Sequence, residues 1–425
     1  MKINGILKDL KIRGLISQIT NINSLYIKIN KKPITLYCGF DPTSDSLHLG
    51  HLIPILCLRR FQLFGHKPII LIGGATGMIG DPSFKINERI LNDKDTIYLW
   101  TEKIKKQFFN FLDFESKKNS AIILNNYNWF NSMNLLSFLR NIGKNFSINK
   151  MINKESVKTR IIKNNIGISF TEFSYNLLQS YDFAYLNKMY NVCLQIGGSD
   201  QWGNITSGID ITYKLFKNKV FGLTVPLITN KNGTKFGKTE KNTIWLDPKK
   251  TSPYEFYQFW ININDDDVYN FLKFFTFIDV LDINIIREKN YNLNILLKYK
   301  KILAEEITKI VHGKKSLNSI KRIIKSLFYG SIEKLKEKDF INIMKSGIPL
   351  TILKKSISLK RFLVFSKISK SLSISKRLIE SYAISINGKI ITKIEYIFND
   401  KDRLYNKYTL IKKGKKNYFL IYWKK

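Results

Sequence analysis

Residues 37–43 read Tyr37-Cys38-Gly39-Phe40-Asp41-Pro42-Thr43, and residues 47–52 follow as Leu47-His48-Leu49-Gly50-His51-Leu52. An apolar run predicts a strand at 34–38, and the glycine, aspartate and proline after it predict a turn. An apolar helix is predicted from about residue 50 to residue 64. The first N–H groups of a helix lack intrahelical partners, and the helix dipole is positive there. The strand, loop and helix together therefore predict a phosphate-binding site.

This loop carries neither of the two common glycine-rich phosphate patterns, G-x-G-x-x-G and G-x-x-x-x-G-K. It carries His48 and His51 on one side of the first helical turn, with Gly50 between them. Neutral imidazoles can donate N–H to phosphate oxygens, and a glycine leaves room for an adenine against the backbone. Taken alone, the two histidines could equally be a helix cap and a surface residue. A metal site is less favoured, because no cysteine or carboxylate cluster lies at ligand spacing.

A second motif decides between these interpretations. Residues 235–239 read Lys235-Phe236-Gly237-Lys238-Thr239, and with His48-Leu49-Gly50-His51 they resemble the two signatures of class I aminoacyl-tRNA synthetases. With Tyr37 and Asp182 in place, the chain from about residue 13 onward resembles the bacterial tyrosyl-tRNA synthetases. The class-wide form of the second signature is Lys-Met-Ser-Lys-Ser. Three of its residues are therefore replaced here, while both lysines remain.

The composition is that of a large, basic, globular chain. Its 425 residues predict two or three domains, and no apolar run reaches the ~20 residues that span a bilayer. The formal net charge is +37, with 29 basic and 15 acidic groups in residues 1–230 and 41 and 18 in the rest. This charge favours a polyanionic partner, although an AT-rich genome would also enrich lysine. Three cysteines without a C-x-x-C pair, and no apolar signal core in residues 1–20, predict a cytoplasmic protein.

The order of predicted elements gives the fold class. Strands are predicted at 34–38, 67–72, 120–124, 192–196 and 220–228, and helices between them include 151–161 and 169–186. This alternation predicts an α/β fold with a doubly wound parallel, Rossmann-like sheet that binds ligands at the carboxyl ends of its strands. From residue 252 the pattern is helical, with helices at 295–311 and 316–328. The last stretch predicts a small α+β unit with an Asn387-Gly388 hairpin turn.

Five segments are predicted along the chain. They are a Rossmann-like catalytic domain with a helical insertion (1–230), a mobile lysine signature loop and linker (231–250), an α-helical anticodon-side domain (251–330), a connector (331–357) and an RNA-binding domain (358–425). The last domain resembles a module shared with a small-subunit ribosomal protein. Its predicted RNA-binding residues are Lys370, Lys376 and Arg377, on a basic helix.

The resemblance implies activation of L-tyrosine by ATP to tyrosyl-adenylate and pyrophosphate, followed by transfer of tyrosine to the 3′ end of tRNA(Tyr). The first step needs alignment and positive charge on the phosphates rather than a protein nucleophile. The catalytic residues implied are Thr43, His48, His51, Lys235, Lys238 and Thr239. The ATP-binding residues implied are Cys38, Gly39, Asp41, Gly50, Lys85, Arg89, Gly198 and Asp200. Mg²⁺ is expected with ATP through phosphate oxygens, without a protein metal site.

A site for tyrosine must pair the phenolic O–H, and the resemblance assigns this to Tyr37 and Asp182. Polar groups left unpaired by a phenylalanine ring would exclude that amino acid, and tyrosyl enzymes are themselves the known example, at roughly 10⁵-fold. The substrate ammonium is expected at Asp81, Tyr175 and Gln179. The full tyrosine-binding set implied is Tyr37, Asp81, Tyr175, Gln179, Asp182, Gln195 and Gln201.

The resemblance also implies a homodimer and no membrane partner, and two alternatives stay open. A tryptophanyl-type synthetase shares the fold and both signatures, but it lacks the C-terminal module and would not need Tyr37 and Asp182 to face a hydroxyl. A non-catalytic RNA-binding protein that retains the synthetase fold would bind tRNA without forming an adenylate.

Overall fold

A computed structural model of the chain describes residues 5–83, 91–158, 160, 167–228, 236–237, 243–288, 293–329, 332–345, 348–414 and 417–424. The chain forms two compact units. The first comprises residues 1–247 and 264–296, and the second comprises residues 248–263 and 297–425. No helix in the part of the chain that the structure describes is long and apolar enough to cross a membrane.

The first unit is organised around a six-stranded sheet. Its strands are β1 (Gln18–Ile19), β2 (Thr35–Phe40), β3 (Lys67–Ile72), β4 (Ile122–Asn125), β5 (Val192–Gly198) and β6 (Phe221–Val225). They lie in the order β1-β6-β5-β2-β3-β4, and every pairing is parallel except that of β1 with β6. The predicted doubly wound α/β fold is therefore confirmed.

This strand order places the ligand site. The chain runs outward from β2 through β3 to β4 and then returns to the other side of β2 with β5 and β6. The sheet therefore has a switch point between β2 and β5, and open α/β sheets bind ligands outside the carboxyl ends of such strands. Tyr37 and Gln195 lie side by side in this register. Both signature loops follow strands that end at this edge.

Helices cover the sheet of the first unit. They are Ile6–Arg13, Ile22–Lys31, Leu49–Leu63, Thr76–Ile79, Lys94–Phe108, Tyr127–Phe130, Leu135–Asn141, Ile148–Ile152, Glu155–Lys158, Phe170–Tyr190, Trp202–Phe216, Val268–Phe275 and Val280–Glu288. The single helix predicted at 151–161 is wrong, because the chain turns between Ile148–Ile152 and Glu155–Lys158. Lys154 leaves the helical path there and donates from Nζ to the carbonyl of Gly203 at 3.0 Å.

The second unit combines helices with a five-stranded sheet. Its helices are Pro253–Ile261, Leu293–Tyr329 (in this unit from residue 297), Glu337–Met344, Leu359–Phe365 and Leu372–Glu380. Its strands are β7 (Leu350–Leu353), β8 (Ile384–Ile386), β9 (Lys389–Ile390), β10 (Tyr408–Lys413) and β11 (Asn417–Trp423), in the order β7-β11-β10-β8-β9. The two helices predicted at 295–311 and 316–328 lie within Leu293–Tyr329 and meet at a kink at Gly313, whose φ of 79° is not helical. The predicted hairpin turn is confirmed, with positive φ at Asn387 and Gly388.

The segment predicted as a connector, 331–357, carries structure of its own. Phe340 of the helix Glu337–Met344 stacks on Tyr408 of β10 with ring centroids 4.9 Å apart. Strand β7 then pairs in parallel with β11, so the C-terminal sheet begins before residue 358. The prediction missed this strand because four residues are too short to show a reliable period.

The predicted helical segment, 251–330, is divided between the two units. The helices Val268–Phe275 and Val280–Glu288 belong to the first unit, where Arg13 donates to the carbonyl of Ile278 at 2.8 Å and Phe271 packs on Phe236. Apolar periodicity predicts that a helix is amphipathic but not which body its apolar face meets. The remaining predicted boundaries stay predictions.

Candidate functional site

A cleft of about 470 Å³ opens at the carboxyl ends of β2 and β5. It brings together every described residue of the predicted tyrosine, ATP and catalytic sets. These are Tyr37, Cys38, Gly39, Asp41, Thr43, His48, Gly50, His51, Asp81, Tyr175, Gln179, Asp182, Gln195, Gly198, Asp200 and Gln201. The predicted residues Lys85, Arg89, Lys235, Lys238 and Thr239 lie outside the described part of the chain.

The two histidines form a reciprocal cap at the start of the helix Leu49–Leu63. The backbone N–H of Gly50 donates to His48 Nδ1 and that of His48 donates to His51 Nδ1, both at 3.1 Å. The rings stack with centroids 3.8 Å apart. Because each Nδ1 accepts, the proton of each neutral imidazole lies on Nε2, which is then a donor. The pair is therefore both a helix cap and a source of two N–H groups at a helix N-terminus.

Two residues of the second signature and the chain shortly after it lie against the first signature. Phe236 and Gly237 line the cleft. The backbone N–H of Ile244 donates to the carbonyl of Gly237 at 2.8 Å, and the N–H of Leu49 donates to the carbonyl of Ile244 at 3.0 Å. Trp245 forms an antiparallel bridge with His48. The described residues within and just after the lysine signature thus meet the histidine signature at one edge of the cleft.

The predicted ring end of the cleft is buried. Tyr37 is 1% exposed, Asp182 2% and Gln195 2%. Neither the Tyr37 hydroxyl nor Gln195 Oε1 has a hydrogen-bond partner among the described residues. Burial, followed by the charge of Asp182, raises the pKa of Tyr37 well above its usual range. Two adjacent buried polar groups that no described residue pairs are what a site needs to recognise a polar substituent on a ring.

Asp182 has a donor on each carboxylate oxygen. Trp129 Nε1 donates to Oδ1 at 2.9 Å, and Asn126 Nδ2 donates to Oδ2 at 3.0 Å. Burial raises the pKa of Asp182 well above its usual range, these two hydrogen bonds lower it, and the charge of Asp41 raises it. The carboxylate is therefore strongly desolvated and held by two fixed donors.

Three residues of this end were not predicted, namely Thr76, Asn126 and Trp129. The only sequence signal was their position, since Asn126 follows β4 and Thr76 follows β3 by a few residues. Polar side chains just beyond parallel strands converge on the same edge of the sheet. Nothing in the sequence indicated which of the several asparagines in 119–134 turns inward.

Hydrogen bonds through Gln201 join two of the three residues predicted for the substrate ammonium, Asp81 and Gln179. Gln201 Nε2 donates to Asp81 Oδ2 at 2.8 Å, and Gln179 Nε2 donates to Gln201 Oε1 at 3.2 Å. The hydroxyl of Tyr175 donates to Asp41 Oδ2 at 2.7 Å. The set therefore presents carboxylate and amide oxygens, which are acceptors suited to a cation such as an ammonium group.

The predicted nucleotide side combines small residues with a carboxylate. A Cβ added at Gly39 would meet no atom within 4 Å, which leaves open space beside β2. A Cβ at Gly198 would lie 2.4 Å from Asp200 Oδ1, so glycine is needed for this carboxylate to turn back over the strand end. Burial raises the pKa of Cys38, which holds its side chain as a neutral thiol.

The predicted RNA-binding residues lie in the second unit. Lys370 precedes the helix Leu372–Glu380, and Lys376 and Arg377 are exposed on it, while Ser375 and Ile379 face the core. Lys376 pairs with Glu380 at 3.8 Å. An exposed cation on a rigid helix is suited to contact a phosphate backbone.

Comparison with known proteins agrees with this geometry. The family described as "tRNA synthetases class I (W and Y)" matches residues 29–329, and the "Tyrosine--tRNA ligase SYY-like C-terminal domain" matches residues 339–421. The tyrosine–tRNA ligase of Salmonella arizonae is 57% identical over 424 residues, which is 100% of this chain and 99% of the relative.

Solved structures show the same fold. A C-terminally truncated mitochondrial tyrosyl-tRNA synthetase of Aspergillus nidulans aligns with a TM-score of 0.69 and 29% identity, over 76% of this chain and 94% of that one. A tryptophanyl-tRNA synthetase of Plasmodium falciparum aligns with a TM-score of 0.51 and 18% identity, over 80% and 88%. At that identity the second likeness concerns the fold alone.

Proposed function

The chain belongs to the class I tRNA synthetases and, within them, to the tyrosine–tRNA ligases, and from this premise we propose how its cleft performs the reaction. Tyrosine binds with its ring toward Tyr37 and Asp182 and its ammonium toward Asp81, Tyr175 and Gln179. The single observation that carries this orientation is the buried Tyr37 hydroxyl, which has no partner among the described residues and lies beside a carboxylate.

The first step joins tyrosine to the α-phosphate of ATP. A carboxylate oxygen of tyrosine forms a bond to the α-phosphorus, the bond from that phosphorus to the bridging oxygen breaks, and pyrophosphate leaves with the electron pair. His48 and His51 donate from Nε2 to phosphate oxygens as charge builds on them, and the helix N-terminus adds to this stabilisation. Thr43, Lys235, Lys238 and Thr239 are assigned to the same phosphates, and Lys85 and Arg89 to the pyrophosphate.

The second step transfers tyrosine to tRNA. A terminal ribose hydroxyl attacks the carbonyl carbon of the adenylate, AMP leaves, and the hydroxyl proton is lost to the phosphate or to solvent. The second unit contributes binding, with Lys370, Lys376 and Arg377 proposed on the phosphate backbone of tRNA(Tyr). These exposed cations supply affinity that weakens with salt rather than chemistry.

ATP is the nucleotide of this family, and we propose that its ribose hydroxyls meet Asp200 while its adenine lies over Gly39. Magnesium accompanies the triphosphate and is held through phosphate oxygens, since it keeps most of its waters and takes few protein ligands. It would supply positive charge on the phosphates. Among the described residues no cluster of three or more His, Cys, Asp or Glu side chains could hold a metal ion.

The proposal for the dimer rests on exposed apolar side chains. Leu135 is 68% exposed, Leu136 74%, Ile148 65% and Phe170 78%. Exposed apolar side chains of this size favour burial against a second subunit. A closed two-fold dimer would bury these four side chains on both subunits. Sedimentation equilibrium should give a dimer for the chain and a monomer for Leu136→Glu; a monomeric parent chain would refute the dimer.

The reaction is proposed to take place in the cytoplasm, where its tRNA substrate is charged.

The reaction is tested by ATP–pyrophosphate exchange with each of the twenty amino acids in turn. We expect exchange with tyrosine alone, at a rate at least 10³-fold above phenylalanine, because a ring without the hydroxyl would leave the buried Tyr37 hydroxyl unpaired. Exchange driven by tryptophan alone would assign the chain to the other branch of its family. tRNA binding without any exchange would make it a non-catalytic RNA-binding protein.

A further inference from the structure

Phe236 belongs to the second signature, and its ring is seated on two rings of one helix. Its ring centroid lies 4.6 Å from that of Phe271 and 6.5 Å from that of Phe275. Both of these residues are buried and belong to the helix Val268–Phe275. Because residues four apart lie on one face of a helix, the two rings form a single aromatic surface. The mechanism so far gives this surface no role.

The position of Phe236 matters for the lysines on either side of it. Phe236 follows Lys235 directly and precedes Lys238 by two residues. Its backbone N–H donates to the carbonyl of Ile228 at 2.9 Å, and the next residue, Gly237, has a φ of 84°. A glycine imposes no single backbone conformation, so a contact from outside the signature is needed to fix where the signature lies.

Two buried arginines hold the C-terminal end of the helix Val268–Phe275. Arg13 and Arg60 are 4% and 3% exposed, and they donate to the carbonyl of Lys273 at 3.2 Å and 3.4 Å. Arg60 also donates to the carbonyl of Thr276. The last carbonyls of a helix lack intrahelical partners, and the helix dipole is negative there. The two guanidinium groups therefore stabilise this end and fix its position.

Asp9 joins the two arginines. Its Oδ1 accepts from Arg13 Nε at 2.8 Å, and its Oδ2 pairs with Arg60 at 3.5 Å. Burial, followed by the charge of Arg13, lowers the pKa of Arg60 to about 10, so Arg60 is a cation at neutral pH. One carboxylate thus serves two cations, and the remaining positive charge faces the carbonyls of the helix end.

Arg60 belongs to the helix that the first signature starts. This helix, Leu49–Leu63, begins with the two-histidine cap and carries Arg60 in its last turn. One helix therefore leads from the histidines to Arg60, and the helix Val268–Phe275 leads from the carbonyls that Arg60 holds to the ring of Phe236. All of these residues belong to the first unit.

We propose that Phe271 and Arg60 are positioning residues through which the helix of the first signature sets the place of the lysines of the second. The ring of Phe271 seats Phe236, and Arg60 fixes the helix that carries Phe271. This inference rests on the proposed function. Neither residue is assigned any contact with the substrates, and both act through Lys235 and Lys238.

The physical reason is that a charged donor helps a reaction only where charge develops. A displacement of about 1 Å can cost a large part of a group's effect on the rate. The class-wide second signature has a flexible methionine where this chain has Phe236, whereas an aromatic ring prefers defined orientations against other rings. The seat on Phe271 therefore holds this signature in one place more firmly than a methionine would.

The test is a double-mutant cycle in single-turnover formation of tyrosyl-adenylate, at saturating tyrosine and ATP. Phe271→Leu is made in the parent chain and in a signature-deficient background, which is Lys235→Gln with Lys238→Gln. In the parent we expect a rate constant lower by about tenfold, with the dissociation constant for tyrosine within about twofold, because the lysines act on the transition state. In the background the same substitution should cost less than about twofold, since no lysine is left there to be positioned.

Arg60→Lys tests the other end of the connection. Lysine keeps a positive charge beside Asp9, but it replaces the fork of N–H donors by a single amine, so the carbonyls of Lys273 and Thr276 lose donors. We expect a rate constant lower by about threefold in the parent and unchanged in the background. An unchanged rate in the parent would overturn the role given to Arg60.

Phe61→Leu is the matched control. It removes a fully buried ring from the helix that carries Arg60, where Phe61 packs on His66 with ring centroids 5.7 Å apart. We expect it to lower the midpoint temperature of thermal unfolding and to leave the rate constant within about twofold of the parent. Thermal unfolding and calorimetric tyrosine binding verify that each variant is folded, and if Phe271→Leu is not, Arg60→Lys decides.

The outcomes distinguish this inference from the proposed function. A parent chain that forms tyrosyl-adenylate, with a loss from Phe271→Leu that is equally large in the parent and in the background, would overturn the positioning role and leave Phe271 a structural residue. A background as fast as the parent would overturn it too, because the lysines would have no effect that depends on their position. A parent chain that forms no tyrosyl-adenylate would overturn the proposed function itself.

Discussion

The two ends of the cleft are built in opposite ways. The ring end consists of side chains from strands and a long helix, with Tyr37, Asp182 and Gln195 each no more than 2% exposed. The phosphate end consists of turns and the start of a helix, with Thr43 and Gly50 exposed and His48 half-buried. We propose that selection depends on a buried, fixed set of polar groups, and that catalysis depends on donors that can meet a hydrated, charged phosphate.

This difference has an energetic consequence. When a polar group is removed from the ring end, its buried partners are left unpaired. The loss of binding free energy is therefore large, and it concerns one feature of the substrate, the ring hydroxyl. A donor removed from the phosphate end is partly replaced by water, so the loss is smaller and falls on the rate. Substitutions at the two ends should therefore separate selection from turnover.

The largest effect is expected from Asp182→Asn. The amide keeps the shape of the carboxylate but turns an N–H₂ group toward one of the donors, Asn126 or Trp129. We expect kcat/KM for tyrosine to fall by about 10³-fold or more, with the KM for ATP within twofold of the parent chain. Exchange kinetics at varied tyrosine and varied ATP measure both. An equal loss of ATP binding would mean that the ring end has been misplaced.

Substitutions of His51 test the phosphate end. In His51→Asn, the amide oxygen takes the place of Nδ1, which accepts from the backbone N–H of His48. In His51→Gln, the amide nitrogen takes the place of Nε2, the proposed phosphate donor. We expect kcat to fall by about 10²-fold in His51→Asn, with the KM for tyrosine unchanged, because one transition-state donor is lost. His51→Gln should retain several-fold more activity than His51→Asn. The reverse order would show that the cap, not the phosphate contact, limits the rate.

The sequence predicted the phosphate end through its motifs and the ring end only in part. Strand β3 was predicted at its observed bounds because a continuous apolar run is typical of a strand covered on both faces. Tyr37 and Asp182 were identified by resemblance, since nothing in the local pattern places a strand residue beside a helix residue 145 positions later. Their meeting depends on the strand order, which brings β2 beside β5.

Other features depend on tertiary packing that no local pattern encodes. Asn126 matters because β4 pairs with β3 in a register that places it beside Thr76, the first residue of the short helix after β3. The inward turn of Lys154 breaks a helix that its apolar spacing predicted, because an amine can reach a backbone carbonyl of a neighbouring helix. Strand β7 exists only because β11 offers it an edge. Each of these is a long-range contact with a weak local signal.

A substitution of Gly237 tests the close contact between this residue and the start of the helix Leu49–Leu63, and a control glycine tests backbone strain by itself. Its φ is 84°, and a Cβ there would lie 2.9 Å from Leu49 Cβ, at the edge where both signatures meet. We expect Gly237→Ala to lower kcat by about tenfold while tyrosine selection is unchanged, because an added methyl must displace the chain. Gly65 is the matched control, with a φ of 89° and no atom within 4 Å of an added Cβ. Gly65→Ala should lower the midpoint temperature of thermal unfolding without lowering kcat. If Gly65→Ala lowers kcat as much as Gly237→Ala does, backbone strain alone explains the loss in Gly237→Ala.

The smallest effect is expected in the second unit, and it should leave both ends of the cleft unchanged. Lys376→Gln with Arg377→Gln removes two exposed cations from the helix Leu372–Glu380. Pyrophosphate exchange with tyrosine should not change, because that step does not involve tRNA. The KM for tRNA should rise by about three- to fivefold near 0.15 M salt, since exposed charges are strongly screened there.

The salt dependence of the tRNA step identifies the cause of that change. When a phosphate contact is lost, tRNA binding releases fewer counterions. The slope of log affinity against log salt should therefore become shallower by about one to two in the double variant. Lys214→Gln is the control, because Lys214 is an exposed cation of the first unit that pairs with Asp210 at 3.2 Å. If Lys214→Gln changes the slope as much as the double variant does, the net charge of +37 attracts tRNA without a defined site on this helix. If only the double variant makes the slope shallower, the helix Leu372–Glu380 is a specific RNA contact. The cleft then serves amino-acid selection and turnover alone.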